Sequence, residues 1–129
     1  MNDRIRSYFD LIEARLIESP AITSFQIIRK EISLTDGKLR VKSTLSDSGV
    51  FECFLYVRET GQSISLEKYS LHWQARQGNL VLRRDNAPHF SGLPCAPHHE
   101  HTADTVRAQS SAADIFTFLD NIEKGMASS

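Results

Sequence analysis

The sequence is short of most features that would make a function easy to read. It has two cysteines, Cys53 and Cys95, so at most one disulfide is available. No CxxC pair and no HExxH helix occurs, and the usual zinc signatures are therefore missing. The charged start MNDRIRSYFD does not read as a secretory leader, and without one the two cysteines are better read as reduced thiols. Nor is there a GxSxG elbow or a glycine-rich phosphate loop after a strand, so a serine hydrolase, a P-loop nucleotidase and a Rossmann enzyme are not expected. No apolar run is long enough to span a bilayer, so no membrane partner is expected and the expected compartment is the cytoplasm. The net charge of −1 leaves no globally basic surface, so any nucleic-acid contact must come from a local patch.

What is present is concentrated. The stretch from Lys68 to His101 holds all five histidines, the only tryptophan and three of the four prolines. The remainder is ordinary globular composition, 40% hydrophobic and 24% charged, which fits a single domain over residues 1–129 with one core.

The chain begins with a helical pattern from Asp3 to Glu18. Ile5, Phe9, Ile12 and Leu16 share one face, Asn2 is placed to cap the start, and Ser19-Pro20 ends it. From Ile22 the pattern changes to short β-branched and aromatic runs closed by turn signals. Thr23 to Leu34 ends at Thr35-Asp36-Gly37, and Lys38 to Leu45 ends at Asp47-Ser48-Gly49. Val50 to Arg58 carries apolar residues on both faces, as a central strand does. A turn at Thr60-Gly61-Gln62 leads to Ser63–Ala75, and Gln77-Gly78 separates that run from Leu80–Asp85. Asn86 to Pro97 is too rich in proline for a strand or helix interior and reads as a loop. One short strand is expected through Thr105 and Val106. Ser111 and Asp114 resemble a capping pair, and Ile115, Phe118, Leu119 and Ile122 form a helical stripe to about Lys124, with a frayed tail from Gly125. The expected fold class is α+β: an N-terminal helix, an antiparallel meander of about five to six strands, and a C-terminal helix packed on the sheet. The edge strands of such a meander leave room for a homodimer.

Alternation along Lys68 to Ala75 sends Tyr69, Leu71 and Trp73 to the core and Lys68, Ser70, His72 and Gln74 to the other face. A two-residue turn at Gln77-Gly78 would set His72 opposite Arg83 and Ser70 opposite Asp85, making one polar row. A solvated sheet face explains such a row without any function. Asp85 and Asn86 also have a purely structural reading, as residues that hold a turn with their own backbone. His89, behind Pro88, is rigidly presented, and an imidazole there could act as acid or base near neutral pH.

The run Cys95 to His101 invites a metal reading, because His-x-His on a strand projects two imidazoles to one side and Cys95 is a soft ligand nearby. With no ligand signature, a metal-free histidine cluster is preferred and no cofactor is assigned. Cys53 is read as a small core residue.

Three motifs carry a family resemblance. Lys68, Tyr69, His72, Trp73 and Gln74 form Lys-Tyr-x-x-His-Trp-Gln; Asp85 to His89 form Asp-Asn-Ala-Pro-His; Pro97, His98, His99 and His101 form Pro-His-His-x-His. In these the chain resembles the TumE-type family of small prokaryotic toxins of type II toxin–antitoxin systems. It departs from that pattern with Arg84 for tryptophan, Phe90 for a second histidine and Leu55 for a glutamate. The resemblance implies an antitoxin partner, usually a helix-turn-helix protein.

Toxicity in proteins of this size commonly comes from RNA cleavage, which needs an acid, a base and cations for the charged phosphorane. His89 with His99 or His101 are the expected acid and base, with His72 and Asp85 as further catalytic candidates. Arg83 with Lys68 or Arg84 are the expected phosphate contacts, and Gln74, Asn86 and His98 the remaining substrate contacts. A non-catalytic binding module and a metal-dependent nuclease or phosphotransferase using His98, His99 and His101 are the alternatives.

Overall fold

Helix α1 spans Asp3–Glu18, the interval its apolar spacing predicts. The Asn2 side chain accepts from the backbone N–H of Ile5 at 2.9 Å, which satisfies one of the donors that a helix start leaves open. Ile5, Phe9, Ile12 and Leu16 are all buried. The structure, a computed structural model, describes residues 2–86, 98–108 and 114–127.

Among the described residues seven strands follow α1: β1 (Ile22–Ile32), β2 (Asp36–Leu45), β3 (Val50–Thr60), β4 (Ser63–Gln74), β5 (Leu80–Asp85), β6 (His99–His101) and β7 (Val106–Ala108). They form one antiparallel sheet in sequence order. Helix α2 (Ile115–Ala127) closes the described chain. Both helices pack on one sheet face, where Leu39, Val41, Phe51, Cys53, Leu55 and Leu71 are buried with Phe118, Leu119 and Ile122. Phe51 and Phe118 stack with ring centroids 5.4 Å apart. The other face carries the polar residues of β2 to β6.

Several sequence expectations need correction. The turn expected at Thr35-Asp36-Gly37 lies two residues earlier, at 33–35 between β1 and β2, and Asp36 and Gly37 are already strand. Gly37 is there for close approach: a Cβ on it would stand 2.7 Å from Ile5 Cγ2, under α1. The single late strand is a hairpin, β6 and β7, closed at Thr102–Thr105. Thr102 N–H donates to the Thr105 carbonyl at 2.9 Å, and the two hydroxyls lie 2.9 Å apart, so paired threonines replace the usual glycine signal. Helix α2 continues to Ala127 where a frayed tail was expected. Gly125 explains it, because a Cβ there would stand 2.8 Å from the Trp73 ring, so only glycine lets the last turn seat against that tryptophan. Asp114 caps α2, accepting from Phe116 N–H at 3.0 Å; Ser111, its expected partner, lies outside the described residues.

The β4–β5 connection shows two deviations that cancel. The turn is longer than two residues, with Ala75 N–H donating to the Asn79 carbonyl at 2.8 Å and Gly78 at φ 93°. Gln74 therefore pairs with Leu80, but Val81 bulges out, and Trp73 pairs with Leu82. From there the register is the expected one, His72 with Arg83 and Ser70 with Asp85.

The helices are clamped together at one end. Arg15 reaches Glu123 and Asp120, each at 2.7 Å, and Ser19 Oγ donates to Glu123 at 2.6 Å. The Arg15 hydrogen bond holds the Glu123 carboxyl below its ordinary value of 4.5, against the opposing effect of burial. A depressed carboxylate stabilises the fold above its unfolded pKa, and that contribution is lost as pH falls through the folded value. Glu123→Gln is thus expected to cost about 1 kcal/mol at pH 7. Urea unfolding should show the two proteins converging as pH falls below 4.5.

Candidate active site on the polar sheet face

Strand pairing sets two rows of side chains across the polar face. One runs Lys42, Glu52, His72, Arg83, His101 and Val106 from β2 to β7. The neighbouring row runs Arg40, Phe54, Ser70, Asp85, His99 and Ala108. His72, Arg83 and His101 are thus consecutive across β4, β5 and β6, the outer two about 10 Å apart at the backbone by the usual strand spacing. A cleft of about 340 Å³ opens on this face, lined by Arg40, Glu52, Phe54, Ser70, His72, Gln74 and Arg83.

Beside the cleft, on the same sheet face, sits a buried charge centre. Asp85 is 2% exposed and His99 is fully buried. Arg83 Nε donates to Asp85 Oδ2 at 2.7 Å. His99 Nδ1 lies 3.4 Å from Asp85 Oδ1, and His101 Nε2 lies 3.4 Å from Asp85 Oδ2. The carboxylate is therefore the common neighbour of one guanidinium and two imidazoles. Burial lowers the His101 pKa, the Asp85 charge raises it, and the net direction is downward.

His72 is the imidazole at the cleft. Its Nε2 lies 3.2 Å from Gln74 Oε1, and its Nδ1 is buried with no hydrogen-bond partner among the described residues. A buried, unsatisfied polar atom costs about 1–3 kcal/mol, so it is unusual in a histidine that only supports the fold. Arg40 reaches Glu52 at 3.1 Å and lies over the Phe54 ring at 4.7 Å, adding a second cation to the cleft wall.

The other expected site residues fall in different places. Lys68 stands opposite Tyr56, in the row beyond Ser70 on the same face, and is exposed. Asn86 holds β4: its Oδ1 accepts from Tyr69 N–H at 3.0 Å and its Nδ2 donates to the Glu67 carbonyl at 2.8 Å. Arg84 and His98 do not reach the polar face. Arg84 pairs with Leu71 on the helix side. The His98 ring stacks on Tyr69, whose hydroxyl lies 2.9 Å from His98 Nδ1. Burial and the nearby Arg84 charge lower the His98 pKa. Leu55 is buried in the core, as is Cys53, whose thiol is pushed up to about 12 by burial. His89, Phe90 and Cys95 lie outside the described residues.

Glu52 and Arg40 are the cleft residues that sequence reasoning missed. The signal was present, since both alternate with buried neighbours, but it became meaningful only once β2 and β3 were paired beside β4.

With this geometry in view, the model of one protein family, Toxin TumE, matches residues 10–126, most of the chain. The chain belongs to the toxin TumE family. It is accordingly the toxin component of a toxin–antitoxin system, and an antitoxin is its partner. No curated protein and no solved structure gives a significant match. Among the described residues, no helix of this TumE-family chain is long and apolar enough to cross a membrane.

Proposed function

We propose that this TumE-family toxin is a small ribonuclease acting through its polar sheet face, in a type II system with a helix-turn-helix antitoxin. The observation that carries the reading is the row His72, Arg83, His101, in which two imidazoles flank a guanidinium and the first two residues line a cleft. Cleavage by the RNA 2′-hydroxyl needs a base for that hydroxyl, an acid for the leaving 5′-oxygen and a cation for the phosphorane. His72 and His101 fill the first two roles, and Arg83 with Lys68 the third. Asp85 and His99 act from beside the cleft: Asp85 orients Arg83 and lies beside His101, and His99, fully buried, positions rather than touches substrate. Of the residues expected as acid and base, His89 with His99 or His101 and His72 as a further candidate, His72 and His101 are the pair proposed, because His99 is fully buried and His89 lies outside the described residues.

The test is to express the full chain without antitoxin and examine RNA as growth stops. Fragmented transcripts with 2′,3′-cyclic phosphate ends are expected. Intact transcripts during full arrest would sink the ribonuclease reading and favour a protein-binding toxin.

A further inference from the structure

We propose that Asp85, His99 and His101 form a binding site for one divalent transition-metal ion of the zinc class. The three donors come from two adjacent strands. His99 and His101, two apart on β6, project to one side, and antiparallel pairing with β5 sets Asp85 against His99. Their ligand atoms all lie within 4.8 Å of one another.

The spacing leaves room for an ion among the three side chains. A charge-assisted N–H to carboxylate bond closes to about 2.7–2.9 Å. Here His99 Nδ1 stands 3.4 Å from Oδ1 and His101 Nε2 stands 3.4 Å from Oδ2, so each imidazole faces its own oxygen of the one carboxylate. Two donors each about 2.1 Å from a zinc ion, at a tetrahedral angle, stand about 3.4 Å apart, a spacing that ligand atoms within 4.8 Å of one another reach by small side-chain rotations. Two histidines and one carboxylate make three protein ligands, the number that leaves a fourth position for water in zinc enzymes. His101, at 13% side-chain exposure, lies on the side where that water would enter. Arg83, bonded to Asp85 at 2.7 Å, orients the ligating carboxylate as outer partners of metal ligands do. Imidazole donors select zinc-class ions over magnesium, which prefers oxygen.

As a binding site this stands without the reaction proposed above; only its catalytic use rests on that reading. With an ion seated, His101 is a ligand, and the second proton-transfer group becomes a metal-bound water, whose pKa such a site brings near neutrality.

The test uses the untagged full chain, freed of metal, titrated with zinc chloride by calorimetry. About one equivalent is expected to bind and to raise the melting temperature, with magnesium chloride producing neither effect. His101→Ala and Asp85→Asn are expected to lose the site, and His72→Ala to keep it. Far-UV circular dichroism checks that each variant is folded. Should either fail to fold, His99→Gln, read the same way, takes its place. No zinc uptake by the parent protein, or equal uptake by the folded variants, would overturn the proposal. RNA cleavage is scored separately. Cleavage by a protein that takes up no zinc rejects the metal site and leaves the ribonuclease reading, while zinc uptake without cleavage does the reverse.

Discussion

His72→Ala is expected to lower RNA cleavage by about 10²–10⁴-fold, the range for loss of one general acid or base, and to abolish growth arrest. The fold should barely register the change. His72 makes one side-chain hydrogen bond, 3.2 Å to Gln74, and its buried Nδ1 makes none among the described residues. Removing a ring with an unsatisfied atom also removes a desolvation cost, so the net change in stability should stay within about 1 kcal/mol. The two readouts separate the hypotheses. Lost cleavage with an unchanged melting temperature assigns His72 to chemistry; a lowered melting temperature with growth arrest intact makes it a structural residue and removes the base from the proposed reaction.

Asp85→Ala is the substitution with the largest expected effect on stability, about 2 kcal/mol, below the range for breaking a fully buried ion pair because Arg83 is partly exposed. Three groups converge on this carboxylate: Arg83 at 2.7 Å, and His99 and His101 at 3.4 Å. Without it the Arg83 charge loses its buried partner, and two imidazoles are left beside a methyl group. The loss should be concentrated in β6 and β7, since β6 joins β5 through only three residue pairs. Equilibrium urea unfolding measures the change, and amide exchange at Glu100 and Arg107 locates it. A loss below 1 kcal/mol would mean that the backbone ladder alone holds this hairpin and that Asp85 is kept for the chemistry in front of it. A large loss of stability together with lost toxicity would be uninformative by itself, which is why His72→Ala carries the functional question.

The neighbours of His72 and Asp85 on β4 and β5 are legible in the local sequence. The His72–Arg83 and Ser70–Asp85 pairs follow from period-two alternation and a nearby turn, information contained within about fifteen residues. The reading survived a mistaken turn because the bulge at Val81 restored the register. Helix α1 was legible for the same local reason: Asn2, the four buried positions and Ser19-Pro20 all act within one segment. Alternation also separates Arg84 from Arg83 and Asp85, so the opposite placement of Arg84 is contained in the sequence.

The sequence by itself determined the helix, the meander, the two faces of β4 and the family, because each depends on neighbours close along the chain. It also showed that the histidines are gathered in one stretch. Only the tertiary structure decided what they do to one another. The return of β6 alongside β5 crosses a proline-rich interval that carries no register signal, and that single pairing sets Asp85 against His99, brings His101 beside Arg83 and turns His98 away onto Tyr69. A strand's alternation says which residues share a face; which strand lies beside it is settled by burial and hydrogen bonding across the whole sheet.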